Sequence, residues 1–241
     1  MIMFEYHETK SKAGIWNIVK VNLDPKSDLI LRAARQAKLK VKHTIQAGQD
    51  GRVRNNNLKF QNQFRGMIAE IYALELLKSW LAKYKLHNCE VVRYDDVRTD
   101  DFSSPENEYD LKIQRNGSDS KVIKIESRSS VTYKRTLTEG INDLDIIGPY
   151  ISKSKSKESY VDHYIRPLFD NTKEMKAEEF SDFLKNGLID LYFVAGCSKE
   201  HMIEKGFYKS MKQSSTRYRC LPITSGLNIL EFQSEIIKSL M

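Results

Sequence analysis

The segment NQFRGMIAEIYALELLKSWLAKYK, residues 62–85, constrains this chain more than any other. Met67, Leu74, Leu77 and Leu81 recur at steps of three and four, the spacing of one face of an α-helix. Glu70 falls on that same face. Burying a lone carboxylate is expensive, so Glu70 calls for a cation, a hydrogen-bond network or a metal. The plainest of these is an ion pair with a nearby Arg or Lys. Glu75 lies beside Lys78 and Ser79 on a polar arc and reads as a surface charge.

A second helix precedes this one. Ser27 offers an N-cap, and the spacing of Ile30, Ala33, Ala34, Ala37, Val41 and Ile45 predicts a helix over about 28–47, stopped by Gly48. Arg32, Arg35, Lys38 and Lys42 gather on another arc of it. The Gly- and Asn-rich stretch AGQDGRVRNNNLKF then reads as a basic loop. From Leu31 to Arg65 there are nine Lys or Arg and one acid, Asp50. Such asymmetry suits a polyanion as well as a solvated basic face. On the first reading, Arg32, Arg35, Lys38, Lys42, Arg52, Arg54, Asn55, Asn56, Lys59 and Arg65 are the candidate DNA contacts, joined by Lys134 and Arg135 further on.

The 241 residues, 29% charged and 40% hydrophobic, suit an ordinary soluble domain. No apolar run nears the roughly 18–20 residues that span a bilayer, so no membrane is expected. The N-terminus lacks a secretory pattern. The three cysteines, Cys89, Cys197 and Cys220, form no CxxC pair or Cys/His cluster, which points to a reducing cytoplasm.

Two runs flank Asn116-Gly117: EYDLKIQR and SKVIKIES. Asn-Gly between such runs predicts a β-hairpin. Its pairing brings Asp110, early in the first strand, close to Glu126, late in the second. Lys124, Glu126 and Arg128 then form a charged row, because residues two apart on a strand share a face. Asp110, Glu126 and the helix-borne Glu70 make one carboxylate cluster on this reading. Oxygen ligands of that kind suit Mg²⁺. Ordinary cross-strand ion pairs on a surface hairpin would place the same residues.

The order of these pieces, GMIAE on a helix, then YDLKI, then IKIESR, resembles the PD-(D/E)XK nuclease superfamily. In that family an Asp starts a hairpin, an acid-x-Lys triplet ends its second strand, and a Glu on the preceding helix often assists. The resemblance covers about residues 62–130. It implies Asp110 in the Asp place, Glu126 in the acid place, Arg128 in the Lys place and Glu70 in the helix place. It further implies Mg²⁺, with Mn²⁺ as a substitute, held by Asp110, Glu126, Glu70 and the carbonyl of Ser127. Tyr109 stands where the family has Pro. Arg128 stands where it has Lys, and an arginine is always protonated, so it cannot be a general base. Lys124, on the same face, could supply the amine.

The resemblance implies a mixed central β-sheet flanked by helices, a restriction-endonuclease-like α/β core over residues 61–241. Residues 1–60 would be a basic helical and loop elaboration of a single compact domain. Type II restriction endonucleases are the most similar members: homodimers that cut double-stranded DNA at a specific sequence. The alternatives are a repair or recombination nuclease that recognises DNA structure, an inactive DNA-binding protein with a nuclease-like core, and an RNA-binding protein. Beyond residue 130, NGLIDLYFVAG predicts a buried strand, SKEHMIEKG a short helix capped by Ser198, and KAEEFSDFLKNG another helix. Residues 150–170 open with a Lys/Ser run that reads as a loop, and His163 there reads as structural. YKSMKQSSTRYRC carries Lys209, Lys212, Arg217 and Arg219 among tyrosines, which suits phosphate contacts and base stacking or a charged edge strand.

Overall fold

The computed structural model describes residues 2–44, 55–103, 109–117, 120–151, 158–171, 174–210 and 217–241. The chain enters through a hairpin, β1 (Phe4–Ser11) and β2 (Gly14–Val21), and continues into helices α1 (Asp28–Val41) and α2 (Asn56–Lys83). Next come β3 (Cys89–Arg93), the single turn α3 (Tyr94–Val97), β4 (Leu111–Arg115), β5 (Lys121–Ser127), β6 (Ser130–Val131) and α4 (Leu137–Asp143). The second half holds β7 (Asp145–Ile151), β8 (His163–Asn171), α5 (Phe180–Lys185), β9 (Ile189–Ser198) and α6 (Lys199–Glu204). It ends with β10 (Phe207–Ser210), β11 (Arg217–Pro222), β12 (Leu227–Asn228) and α7 (Ile229–Leu240).

The main sheet runs β1-β2-β9-β8-β5-β4-β3, with β12 added to β9 and β6 to β8. Its pairs are mostly antiparallel, but β5 and β6 run parallel to β8. A smaller sheet, β10-β11-β7, stands beside it. This is a mixed α/β protein with a large central sheet flanked by helices. Residues 4–41 belong to that body: β2 pairs with β9, and Ile30, Ala33 and Ala37 of α1 join the core.

Each face of the main sheet carries its own apolar cluster. On one, α1, α2 and α7, the last through Phe232, pack over Val19, Ile125 and Phe193. On the other, Trp16, Ile141, Tyr164, Cys197, Met202 and Leu221 pack together. Cys197 and Cys220 are buried free thiols, and burial pushes both above the usual thiol pKa, Cys220 to about 11. No helix among the described residues is long and apolar enough to cross a membrane.

Local chemistry explains where the elements depart from their predicted bounds. Helix α1 ends at Val41 rather than 47, with Lys42 as its C-cap; Gly48, Arg52 and Arg54 lie outside the described residues. Helix α2 starts at Asn56 rather than 62, because the Asn55 side chain accepts from the Leu58 N–H at 2.8 Å and caps it. The end of the predicted loop therefore belongs to the helix, and Phe60 stacks on Phe64 with ring centroids 5.4 Å apart. Every residue from Met67 to Leu74 is buried, so α2 is a core helix rather than a one-faced one.

Strand β8 was not predicted. Residues 163–169 are all buried, so no polar alternation marks them, and Pro167 argues against a central strand. A register shift between Arg166 and Pro167 accommodates the proline.

Gly196 of β9 lies so close to the Phe232 ring of α7 that a β-carbon there would overlap it. Gly196→Ala is expected to cost about 1–3 kcal/mol by overpacking. Urea unfolding would measure this, and Phe232→Leu in the same chain should recover part of the loss.

Candidate active site

The β4–β5 pairing matches Leu111 with Ile125 and Ile113 with Ile123, which sets Asp110 beside Glu126. Asp110 is clamped to the neighbouring strand. Its N–H donates to the Ile125 carbonyl at 3.2 Å, and its Oδ2 accepts from the Ser127 N–H at 2.6 Å. Ile123, Ile125 and Ser127 point inward, the two isoleucines into the cluster under α2. Lys124 and Glu126 therefore project from the opposite face. The hairpin tip at 118–119 lies outside the described residues.

The charged row is a chain of ion pairs. Arg128 Nε donates to Glu126 Oε1 at 2.8 Å, and Arg128 Nη2 to Glu158 Oε2 at 2.6 Å. Its guanidinium carbon lies 5.3 Å from the Tyr150 ring centroid. The same Glu158 oxygen accepts from the Tyr150 N–H at 3.1 Å. Burial opposes the charge on Arg128, but the two carboxylates outweigh it and raise its pKa. The Lys124 amine sits 5.7 Å from the Tyr109 ring centroid, and its backbone N–H donates to Asp162 at 2.7 Å.

Glu70 takes its partner elsewhere. It accepts from Arg93 Nη1 at 3.1 Å, beneath the sheet. Arg93 is 1% exposed; it also donates to Met67 Sδ, to Gln36 and, at 2.6 Å, to Asp96. Its pKa is raised: burial opposes its charge, and the acids around it prevail. The three-acid cluster expected from the sequence is thus reduced to the Asp110–Glu126 pair. Among the described residues, no three Asp, Glu, His or Cys side chains are grouped to hold a metal. The pair and the Ser127 carbonyl are hard oxygen donors and suit Mg²⁺.

The basic residues of α1 divide in two. Arg32 pairs with Asp96 and Lys40 with Asp95, the latter at 3.2 Å, so these cations neutralise the acidic turn after β3. Arg35, Lys38 and Lys42 are exposed. Three other expected DNA contacts are engaged or buried within the fold. Asn55 caps α2, Lys59 is 6% exposed, and Arg65 bonds Asn62 at 3.3 Å and Tyr133 at 3.5 Å. Asn56 is exposed at the start of α2. Lys134 pairs with Glu174 at 2.7 Å, and Arg135 with Asp143 at 3.9 Å. Arg217 and Lys209 lie on the small sheet, with Lys209 paired to Asp145 at 2.8 Å.

Sequence reasoning passed over two residues at this site. Glu158 follows the Lys/Ser run and carries no spacing signal. Arg166 sits in the unpredicted strand β8, 1% exposed. It donates through Nη1 to the Arg128 carbonyl and through Nη2 to Ser130 Oγ at 2.7 Å. Burial, opposed in part by Asp145 and reinforced by Arg65 and Arg128, lowers its pKa to about 10. His163, also on β8, is buried with its ring centroid 5.9 Å from that of Phe232, and burial lowers its pKa.

No family model matches this chain, and no solved structure does. It is similar to an uncharacterised protein of Methanocaldococcus jannaschii, 27% identical over 254 residues that cover 96% of this chain and 89% of that protein.

Removing Arg93 would strand Glu70 and its neighbouring acids. Arg93→Met is expected to cost about 3–5 kcal/mol, read by urea unfolding, and Glu70→Met added to it should restore part. Asp96 has a folded pKa of about 2; burial pushes it up, but Arg93 and Arg32 pull it further down. Its contribution is therefore full above the unfolded value near 3.8 and is lost as pH falls through about 2. Asp96→Asn should remove about 0.5–1 kcal/mol at neutral pH, a screened figure for a partly exposed group, and flatten the acid limb of stability.

Proposed function

We propose that this chain is a Mg²⁺-dependent endonuclease of double-stranded DNA whose central carboxylates are Asp110 and Glu126. The observation that carries the reading is their placement. One immediately precedes β4 and the other lies near the end of β5, side by side across a hairpin in a mixed sheet flanked by helices. That is the arrangement the PD-(D/E)XK resemblance implies. The restriction-endonuclease-like core, sequence-specific cutting and a homodimer with an isologous interface belong to the same proposal.

Asp110, Glu126 and the Ser127 carbonyl would hold the cation, which when bound supplies Lewis acidity towards the phosphate and a water of lowered pKa. Glu70, engaged by Arg93, stays out of this set. Arg128 cannot take a proton from water, being always charged. Its task would be to hold the scissile phosphate and offset charge as the P–O bond breaks. It would exchange Glu158 for a phosphate oxygen as DNA enters. The Lys124 amine, on the same strand face, would add positive charge. Arg35, Lys38 and Lys42 form an exposed basic face on α1 for the DNA backbone.

The Glu126–Arg128 ion pair favours a second reading. A guanidinium 2.8 Å from the acid already neutralises it, as suits a DNA-binding protein with a nuclease-like core and no catalysis.

Incubation of long mixed-sequence DNA with Mg²⁺, Mn²⁺ or EDTA separates the two. A nuclease gives discrete fragments with either metal and none with EDTA, and Asp110→Asn or Glu126→Gln lowers the rate by about 10²–10³-fold. Retarded but uncut DNA under every condition would support the binding protein instead.

A further inference from the structure

Among the described residues Arg166 is a buried cation with no carboxylate at ion-pair distance, and Asp145 acts on its charge only from further away. Among the described residues its partners are a backbone carbonyl, that of Arg128, and a hydroxyl, that of Ser130. Its Nε has no hydrogen-bond partner. A buried charge without a counter-ion opposes folding, and an apolar side chain of the same volume is often no less stable. Stability alone therefore does not account for this residue. At 1% exposure it does not reach DNA either. What it does reach is the chain just past β5, at the two places where the residues following Glu126 are held. The register shift at Arg166/Pro167 marks the point on β8 from which it does so.

We propose that Arg166 is a positioning residue: its two-pronged guanidinium fixes the Ser127–Ser130 segment, and with it the Ser127 carbonyl and the Arg128 side chain, relative to Asp110 and Glu126. The inference rests on the nuclease reading above. A fork bonded to one carbonyl and one hydroxyl two residues apart sets both position and twist, which a single ammonium cannot. The guanidinium, bonded to no acid among the described residues, also lends its positive field to the neighbourhood of Arg128, where phosphate charge would gather. Arg166 would thus orient a cation-holding carbonyl without touching cation or substrate, the role of supporting groups around metal sites.

The test compares wild type, Arg166→Met and Arg166→Lys. Three quantities are read: DNA cleavage with kcat and KM separated, Mn²⁺ affinity by electron paramagnetic resonance, and thermal unfolding. Arg166→Met is expected to stay folded, to lose about 10–100-fold in kcat and about tenfold in Mn²⁺ affinity, and to keep its KM for DNA within about threefold. Arg166→Lys should recover only part of the kcat. A merely structural role would lower the unfolding temperature and leave Mn²⁺ affinity and kcat per folded molecule unchanged, and that result overturns the proposal. If Arg166→Met does not fold, Arg166→Lys decides by the same measures, and an unchanged kcat overturns it. Wild type that neither cuts DNA nor binds Mn²⁺ would sink the nuclease reading itself. Wild type that does both, beside an unaffected Arg166→Met, would sink the positioning role alone.

Discussion

Arg93 is the joint on which the fold of this protein turns. A guanidinium without solvent needs partners on several sides. It finds them on α1 through Gln36, on α2 through Glu70 and Met67, and on α3 through Asp96. Both helices are thereby tied to the end of β3. Immediately after Arg93, the Tyr94 N–H donates to the Asp110 carbonyl at 2.9 Å. The joint that holds the helices thus also holds the residue just before β4. The Asp110–Glu126 pair inherits its place from a network built on the other face of the sheet.

Charge is used in two ways. A formal net charge of +7 suggests a surface prepared for a polyanion. Part of that positive charge is nevertheless taken up by ion pairs within the fold. Arg32 and Lys40 meet Asp96 and Asp95, and Arg98 meets Asp95 and Asp100 while lying 4.7 Å from the Phe102 ring centroid. The exposed remainder on α1 is narrower. At the hairpin Arg128 is likewise held between two acids, Glu126 and Glu158. On the proposed function these are the ion pairs that an incoming phosphate would exchange, which costs less than leaving a charge unpaired.

Some of this was legible in the residues. The α2 helix, the hairpin and the Asp110–Glu126 neighbourhood follow from 3.6-residue and two-residue periods around an Asn-Gly turn. Ser198 caps α6 as its position predicts, accepting from the His201 N–H at 3.3 Å. The early start of α2 was hidden because a run of asparagines looks like a loop, whereas one of them is a cap. Strand β8 was hidden because a strand buried on both faces shows no alternation and this one contains a proline.

The sequence alone therefore determined several local elements and the Asp110–Glu126 neighbourhood, since hairpin register depends on residues close together in the chain. It also posed the question of Glu70, because helical spacing alone puts that carboxylate in an apolar face. Only the tertiary structure answered it. The partner is Arg93, 23 positions away, and nothing in the spacing of either residue encodes the meeting. The same holds for Arg166 and the Arg128–Ser130 segment, 36 to 38 positions apart and brought together by a parallel pairing of β5 with β8. Burial forces a charge to find a partner, but the packing of distant elements selects which one.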